Sequence, residues 1–397
     1  MKYKLSSDTW DLSERDAIER VIESNRFTMG PEVAQYEKNF SEYNQSKYTV
    51  MVSSGSAANL LMVAAMFLTR DPSRQLKRGD EVIVPAVSWS TTYFPLQQYG
   101  LKLKFVDIDK ETLNIDIHKL RDAISDKTKL IMAVNLLGNP NDFESIFDLI
   151  QDRDITLLED NCESLGATFQ NKKTGTFGLM GSYSSFFSHH IATMEGGCIV
   201  TDDEELFHIL LSIRAHGWTR DLPEENLICE KSSDPFQESF RFILPGYNVR
   251  PLEMSGAIGI EQLKKLPSFI INRRKNAKYF QKIFKQLPFL NIQKEIGKSS
   301  WFGFSILISQ DAPFSRVDLV RELDNSQIEC RPIVTGNFLK NKEVLEHFDY
   351  TISGELEGAE FIDSNGLFVG NHHENLVSNL DYLKDKVLSL SSKLTSK

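Results

Sequence analysis

YTVMVSSGSAANLLMVAAMFL, residues 48–68, holds a strand, a turn and a helix in that order. Residues 48–53 are a short apolar run rich in β-branched side chains. Ser54, Gly55, Ser56 and Ala57 then form a turn of small residues, and an apolar helical pattern follows. The unit recurs along the chain. DEVIVPAV (80–87), GLKLKFVDID (100–109), LIMAVNLLG (130–138), ITLLED (155–160), GSYSSFF (181–187) and GGCIVTD (196–202) read as strands, and HKLRDAIS (118–125) and FESIFDLIQ (143–151) read as helices between them. Short apolar strands alternating with helices predict a mainly parallel sheet covered on both faces. After residue 252 the pattern changes. EMSGAIGIEQLKKL (253–266) and NRRKNAKYFQKIFKQL (272–287) are helical, WFGFSILIS (301–309) and IECRPIV (328–334) read as strands, and NLDYLKDKVLSLSSKL (379–394) closes the chain as a helix. The expected division is a large domain over 1–267 and a smaller α/β domain over 268–397.

The 397 residues carry a formal net charge of -10 with no dense Lys/Arg block, which argues against nucleic acid or an acidic membrane as partner. The first sixteen residues hold no apolar core of a signal peptide, and no run reaches the roughly 20 apolar residues that span a bilayer. Cys162, Cys198, Cys229 and Cys330 are scattered, with no C-x-x-C pair. Reduced thiols in the cytoplasm are the expectation.

Three stretches suit one ligand. Gly55, Ser56 and Ala57 open a helix, where exposed N–H groups and the dipole favour an anion such as a phosphate; taken alone, the stretch reads more readily as an ordinary N-cap with a glycine turn. Trp89 follows a strand, where an indole can stack on a flat ring or sit in a core. LLEDNCESLGA (157–167) ends a strand with acids, and Asp160 there could hold a pyridinium N–H. An anion site, an aromatic and a strand-end carboxylate, in that order, suit pyridoxal phosphate.

With SSGSAAN, VPAVSWSTT, FVDID, EDNCESLGA, the serine-to-EGG segment and GYNVRPLEMSGAIGIEQL, the chain resembles the DegT/StrS group of pyridoxal-phosphate-dependent sugar-nucleotide aminotransferases over nearly its whole length. The resemblance implies the aspartate-aminotransferase (type I) fold, a large domain plus a smaller C-terminal one. It gives Asp160 the ring nitrogen, and Gly55, Ser56 and Ser184 the phosphate. Glu163 stands where many members have a glutamine near the ring hydroxyl. Asn248 in GYNVR matches a phosphate contact supplied across a homodimer, so that active sites are shared. Arg250 suits a carboxylate or phosphate clamp. His216, Arg220, Phe240 and Arg331 are candidates for the sugar-nucleotide pocket.

The family places its cofactor lysine five residues after a serine and six before an acidic-Gly-Gly turn. In FFSHHIATMEGG (186–197) both counts arrive at His189, and no lysine lies between Lys173 and Lys231. A lysine would hold the cofactor as a Schiff base; imidazole forms no stable one. The resemblance then narrows to a lysine-lacking, deoxygenating branch acting on GDP-4-keto-6-deoxymannose on the route to colitose, a kind of deoxy-sugar route that often ends in lipopolysaccharide O-antigen. The implied cofactor is non-covalent pyridoxamine phosphate (PMP), regenerated by L-glutamate. A neutral imidazole, with a reference pKa of ~6.5, takes a proton near neutral pH and can return it to a departing hydroxyl. Were the pair extended, His189 and His190 would point to opposite sides, with His190 structural. A second lysine-lacking branch uses an iron–sulfur cluster, which needs four nearby thiolates; the scattered cysteines argue against it, and a His-His metal site lacks spaced partners. The alternatives are a sugar aminotransferase and a non-catalytic cofactor-binding regulator.

Overall fold

The computed structural model describes residues 3–395. Its main sheet contains β1 (Tyr48–Val52), β2 (Glu81–Pro85), β3 (Lys102–Val106), β4 (Thr128–Val134), β5 (Thr156–Asp160), β6 (Met180–Ser184) and β7 (Gly197–Thr201). An eighth strand, β8 (Tyr350–Ser353), comes from far along the chain and pairs parallel to β3. The order across the sheet is β1-β7-β6-β5-β4-β2-β3-β8. All strands run parallel except β7, which is antiparallel to both β1 and β6. The reversal follows from the connection. Residues 185–196 form no helical crossover, and a link of that kind returns the chain antiparallel. The segment carrying His189 is therefore held at the carboxyl end of the parallel strands, beside the turns that follow β1, β2 and β5.

Central strands are buried on both faces, which is why they read as continuous apolar runs. On one face lie α1 (Gly55–Leu68), α2 (Ser90–Gln98) and α3 (Glu204–Arg214) over a core that includes Leu61, Met62, Val84, Tyr93 and Ile209. On the other, Ile83, Ile131, Phe143 and Ile146 belong to a second core.

A single helix, α4 (Glu253–Phe284), joins the two helical stretches that the sequence pattern separates, with Pro267 inside it. Gly259 lets its first half approach closely: a Cβ there would lie 2.7 Å from the Tyr36 ring. Its second half sends Phe280 and Phe284 into the core of the smaller sheet, where Phe280 stacks on Phe304 at 4.4 Å. That sheet is antiparallel and holds Gly303–Ile308 and Gly366–Gly370 at its centre, flanked by Leu290–Asn291 and Cys330–Arg331. The expected division at 267/268 lies inside α4, and segments from each side of it lie in the other part. Tyr3 packs in the smaller core, while β8 completes the main sheet. Among the described residues no helix is long and apolar enough to cross a membrane.

Candidate active site

Alternation along β5 sends its two terminal carboxylates to opposite faces. Glu159 points into the fold and accepts N–H groups from Gly175 (2.6 Å), Phe177 (2.6 Å) and Gly178 (2.8 Å) and from Asn135 Nδ2 (3.1 Å). Burial raises its pKa, against the pull of these donors. It is an anchor for the 174–178 loop. Asp160 faces the other way. Its Oδ2 accepts from Asn59 Nδ2 at 2.8 Å and Thr92 Oγ1 at 2.7 Å, and Oδ1 from the Cys162 N–H at 3.2 Å. Three donors hold the carboxylate in place.

The same contacts gather the other turns. Ser54 caps α1, its hydroxyl accepting the Ala57 N–H at 3.0 Å, and the helix start leaves the Gly55 and Ser56 N–H groups without intrahelical acceptors. Ser56 donates to Thr91 at 3.0 Å, one residue from the Thr92 that holds Asp160. Trp89 is the N-cap residue of α2 and is 58% exposed, an uncovered indole at the strand-end face. A Cβ on Gly55 would lie 2.7 Å from Ser184 Cβ and 2.9 Å from Cys162 Sγ, so the glycine opens a seat between the helix start and β6. Glu163 lies nearby. Burial and, less strongly, the Asp160 charge raise its pKa to about 7, while its hydrogen bond from the Leu137 N–H (2.9 Å) works the other way.

His189 reaches this group through a short chain of contacts. Leu137 donates to Glu163 and accepts from the Phe302 N–H at 3.0 Å. The Phe302 ring stands edge-on to His189 at 5.1 Å and tilted to His190 at 5.8 Å. The two histidines are in a bend, with His189 N–H donating to the Phe186 carbonyl at 2.9 Å, so the extended arrangement does not occur. A tight link between β6 and β7 needs a turn there. His190 is buried, with Nε2 3.3 Å from the Ser300 carbonyl. His189 Nδ1 has no hydrogen-bond partner among the described residues, and burial, then the Arg273 charge, lower its pKa to about 4. Its resting form is a neutral imidazole.

A second group forms around Trp218. His216 lies 4.7 Å from the indole, and Arg220 sits over it at 4.5 Å and over Phe240 at 5.3 Å. Arg250 faces the same indole at 5.6 Å and donates to Asn248 Oδ1 at 3.0 Å. Val249 accepts the Ser53 N–H at 2.9 Å, which sets this segment against the residue preceding the phosphate-type turn. Arg331 stands apart from both groups, on an edge strand of the smaller sheet, lining a cleft of about 300 Å³ with Arg316 and Val317. Sequence reading missed Asn59 and Thr92, the donors to Asp160, together with Trp218 and Phe302.

The first group fits a phosphorylated pyridine. It offers a dianion seat at a helix start beside two serines, a triply held carboxylate, an exposed indole, and a neutral imidazole with a free nitrogen. The pattern of the DegT/DnrJ/EryC1/StrS aminotransferase family matches residues 9–382. GDP-4-keto-6-deoxy-D-mannose 3-dehydratase of Yersinia pseudotuberculosis is 67% identical over 377 residues, which cover 95% of each chain. The protein of the same name from Escherichia coli O55:H7 is 64% identical over 386 residues, 97% of this chain and 99% of that one. A crystal structure of GDP-4-keto-6-deoxymannose-3-dehydratase with a trapped PLP-glutamate geminal diamine matches at TM-score 0.95 and 64% identity, over 97% of this chain and 100% of the other. A strand-end cofactor seat on this sheet, a family pattern spanning almost the whole chain and relatives of this identity agree: the chain belongs to the DegT/DnrJ/EryC1/StrS aminotransferase family.

Proposed function

We propose that the protein is a PMP-dependent lyase that removes the C3 hydroxyl of GDP-4-keto-6-deoxy-D-mannose. Overall, the 4-keto sugar nucleotide and L-glutamate give the 4-keto-3,6-dideoxy sugar nucleotide, 2-oxoglutarate and ammonia. Glutamate is the two-electron reductant that the lost hydroxyl requires. The observation that carries the reading is His189. An imidazole with a free nitrogen, and no amine, stands on the turn facing an otherwise complete seat for the cofactor.

When bound, PMP supplies a primary amine for the C4 ketone and a ring that takes up electrons. The start of α1 at Gly55, Ser56 and Ala57, with Ser184, holds the phosphate. Asp160 holds the ring nitrogen protonated, and Asn59 and Thr92 keep that carboxylate aimed. Trp89 covers one ring face. Glu163 lies where the ring hydroxyl falls. His189, neutral at rest, takes a proton from the cofactor C4′ carbon and gives it to the hydroxyl leaving C3. The same imidazole moves the proton in the glutamate half of the cycle. His216, Arg220, Phe240 and Arg250 serve the nucleotide and carboxylate groups.

The reading makes the protein a homodimer with shared sites, Asn248 reaching the partner's phosphate. Phe236 is 87% exposed and Phe240 66%, apolar surface suited to a second copy. The four cysteines are free thiols, in keeping with a cytoplasmic enzyme.

The test compares wild type with His189→Lys, supplied with cofactor, L-glutamate and the GDP-sugar. Wild type is expected to release ammonia and 2-oxoglutarate together and to leave no cofactor fixed by borohydride. The lysine variant is expected to trap cofactor and lose ammonia release. An amino sugar formed by the wild type without ammonia would make it an aminotransferase and overturn the reading.

A further inference from the structure

The turn that carries His189 is closed at its base by its own chain. Ser185 N–H donates to the Gly196 carbonyl at 2.9 Å, Thr193 N–H to the Ser185 carbonyl at 2.9 Å, and the Ser185 and Thr193 hydroxyls lie 2.6 Å apart. Above that base the backbone is gripped at Ala192, from both sides. Its N–H donates to Gln262 Oε1 at 3.0 Å, and its carbonyl accepts from Trp10 Nε1 at 2.9 Å.

Neither grip is free to drift. Gln262 is fully buried on α4. Its oxygen also accepts from Thr9 Oγ1 at 2.8 Å, and its amide donates to the Thr9 carbonyl at 3.0 Å and to Glu14 Oε1 at 2.7 Å. All of its bonding positions are used, so it cannot rotate without leaving a buried polar group unmatched. Trp10 ends an N-terminal strap whose earlier residues are fastened to the smaller sheet. Tyr3 OH donates to the Gly370 carbonyl at 2.6 Å, and Leu5 N–H to Glu329 Oε2 at 2.7 Å. Ser7 Oγ lies 3.3 Å from His373 Nδ1.

We infer that Trp10, acting with Gln262, is a positioning residue for His189: the two side chains hold the Ala192 peptide and so set how far the imidazole reaches. The inference rests on the proposed role of His189. Its physical reason is the missing lysine. Without a covalent link between turn and cofactor, the distance from proton acceptor to reacting carbon is set by non-covalent ties alone, and a misplacement of about 1 Å costs on the order of a hundredfold in rate.

Trp10→Phe removes the indole N–H and keeps an aromatic ring. The variant is expected to lose about tenfold or more in kcat, with KM for both substrates unchanged and both half-reactions slowed together. Backbone amides of residues 187–193 are expected to exchange faster with deuterium in the cofactor-free protein. In a His189→Asn background the same substitution should cost nothing further. Gln262→Met, which removes the other grip, should repeat the exchange result. Wild-type kcat and exchange in Trp10→Phe would overturn the inference, as would an equal loss in the His189→Asn background. Failure of the wild type to release ammonia would sink the proposed function instead, and the exchange measurement would still decide whether Trp10 holds the turn.

Discussion

Gly55→Ala tests the phosphate seat through a single methyl group. The new Cβ would meet Ser184 Cβ at 2.7 Å, Cys162 Sγ at 2.9 Å and Ser184 Oγ at 3.2 Å. Two of these distances are shorter than carbon and sulfur tolerate, so Ser184 or the helix start must move. Overpacking of this kind costs about 1–3 kcal/mol. In the cofactor-free protein Ser184 can relieve much of it by shifting away. Bound phosphate needs the serine and the helix N–H groups together, so the strain falls on binding. At about 1.4 kcal/mol per tenfold, the dissociation constant for pyridoxal phosphate should rise roughly 5- to 150-fold. Helix propensity acts in the opposite direction, favouring alanine by up to ~1 kcal/mol, so weaker binding cannot be blamed on a poorer helix. The assay is an absorbance titration of cofactor-free protein, with thermal unfolding measured alongside. An unchanged dissociation constant would refute the seat between Gly55 and Ser184. A large fall in melting temperature with unchanged affinity would assign the glycine to packing alone.

Thr92→Val keeps the side-chain shape but removes one donor to Asp160, a hydrogen bond to a charged group of about 1.5–3 kcal/mol; urea unfolding of the cofactor-free protein should show a loss of that order, and its absence would mean that Asn59 and Cys162 suffice. Glu163 titrates near 7 in the fold, above the ordinary 4.5 of a glutamate. Its contribution to stability is present below pH 4.5 and lost as pH rises through 7, so Glu163→Gln should gain stability relative to wild type between pH 5 and 8 in thermal melts. His189, lowered to about 4, should keep the nitrogen shifts of a neutral ring at pH 5.5, read by NMR of the cofactor-free protein; a protonated ring there would remove the buried base from the account. Mixing inactive Asn248→Ala with inactive His189→Asn should restore part of the activity if sites are shared, because a mixed dimer contains one intact site; no recovery under subunit exchange would place Asn248 in its own chain's site.

What the sequence made legible was whatever depends on burial along the chain. Central strands of the main sheet carry apolar runs because they are covered on both faces, so β2 to β5 could be read one by one. β8 could not: its residues are largely exposed at the sheet edge and offer no apolar pattern. The helical pattern reads as two stretches, 253–266 and 272–287, yet α4 continues between them through Pro267, with Leu266 and Phe269 in buried positions on either side. The site was legible where a role attaches to a residue type at a strand end, as with Asp160. It was not legible where partners meet only in space. Asn59 lies 101 positions from Asp160 and Thr92 lies 68, and nothing local to either marks it as a donor. Trp10 and Ala192, 182 positions apart, are the same case.

The position of Arg273 connects the sequence reading of His189 to its chemistry. Its guanidinium is buried on α4, donates to the carbonyls of Trp301 (3.3 Å), Phe302 (3.2 Å) and Asn371 (2.6 Å), and forms no ion pair among the described residues. Burial alone lowers its pKa to about 9, so it remains a cation near neutral pH. A buried charge without a counter-charge costs several kcal/mol, and here that field opposes a proton on either histidine. The sequence gives imidazole its ordinary affinity for a proton; the fold lowers it. A weaker base is a stronger conjugate acid. Dehydration needs both halves of that trade, because the proton taken from carbon must next be surrendered to a poor leaving group, hydroxide. A site that held the imidazolium firmly would take the first proton easily and stall at the second step. Burial over Arg273 moves the balance toward release, and the cost falls on proton abstraction, which in the proposed mechanism an electron-accepting ring beside Asp160 would make easier.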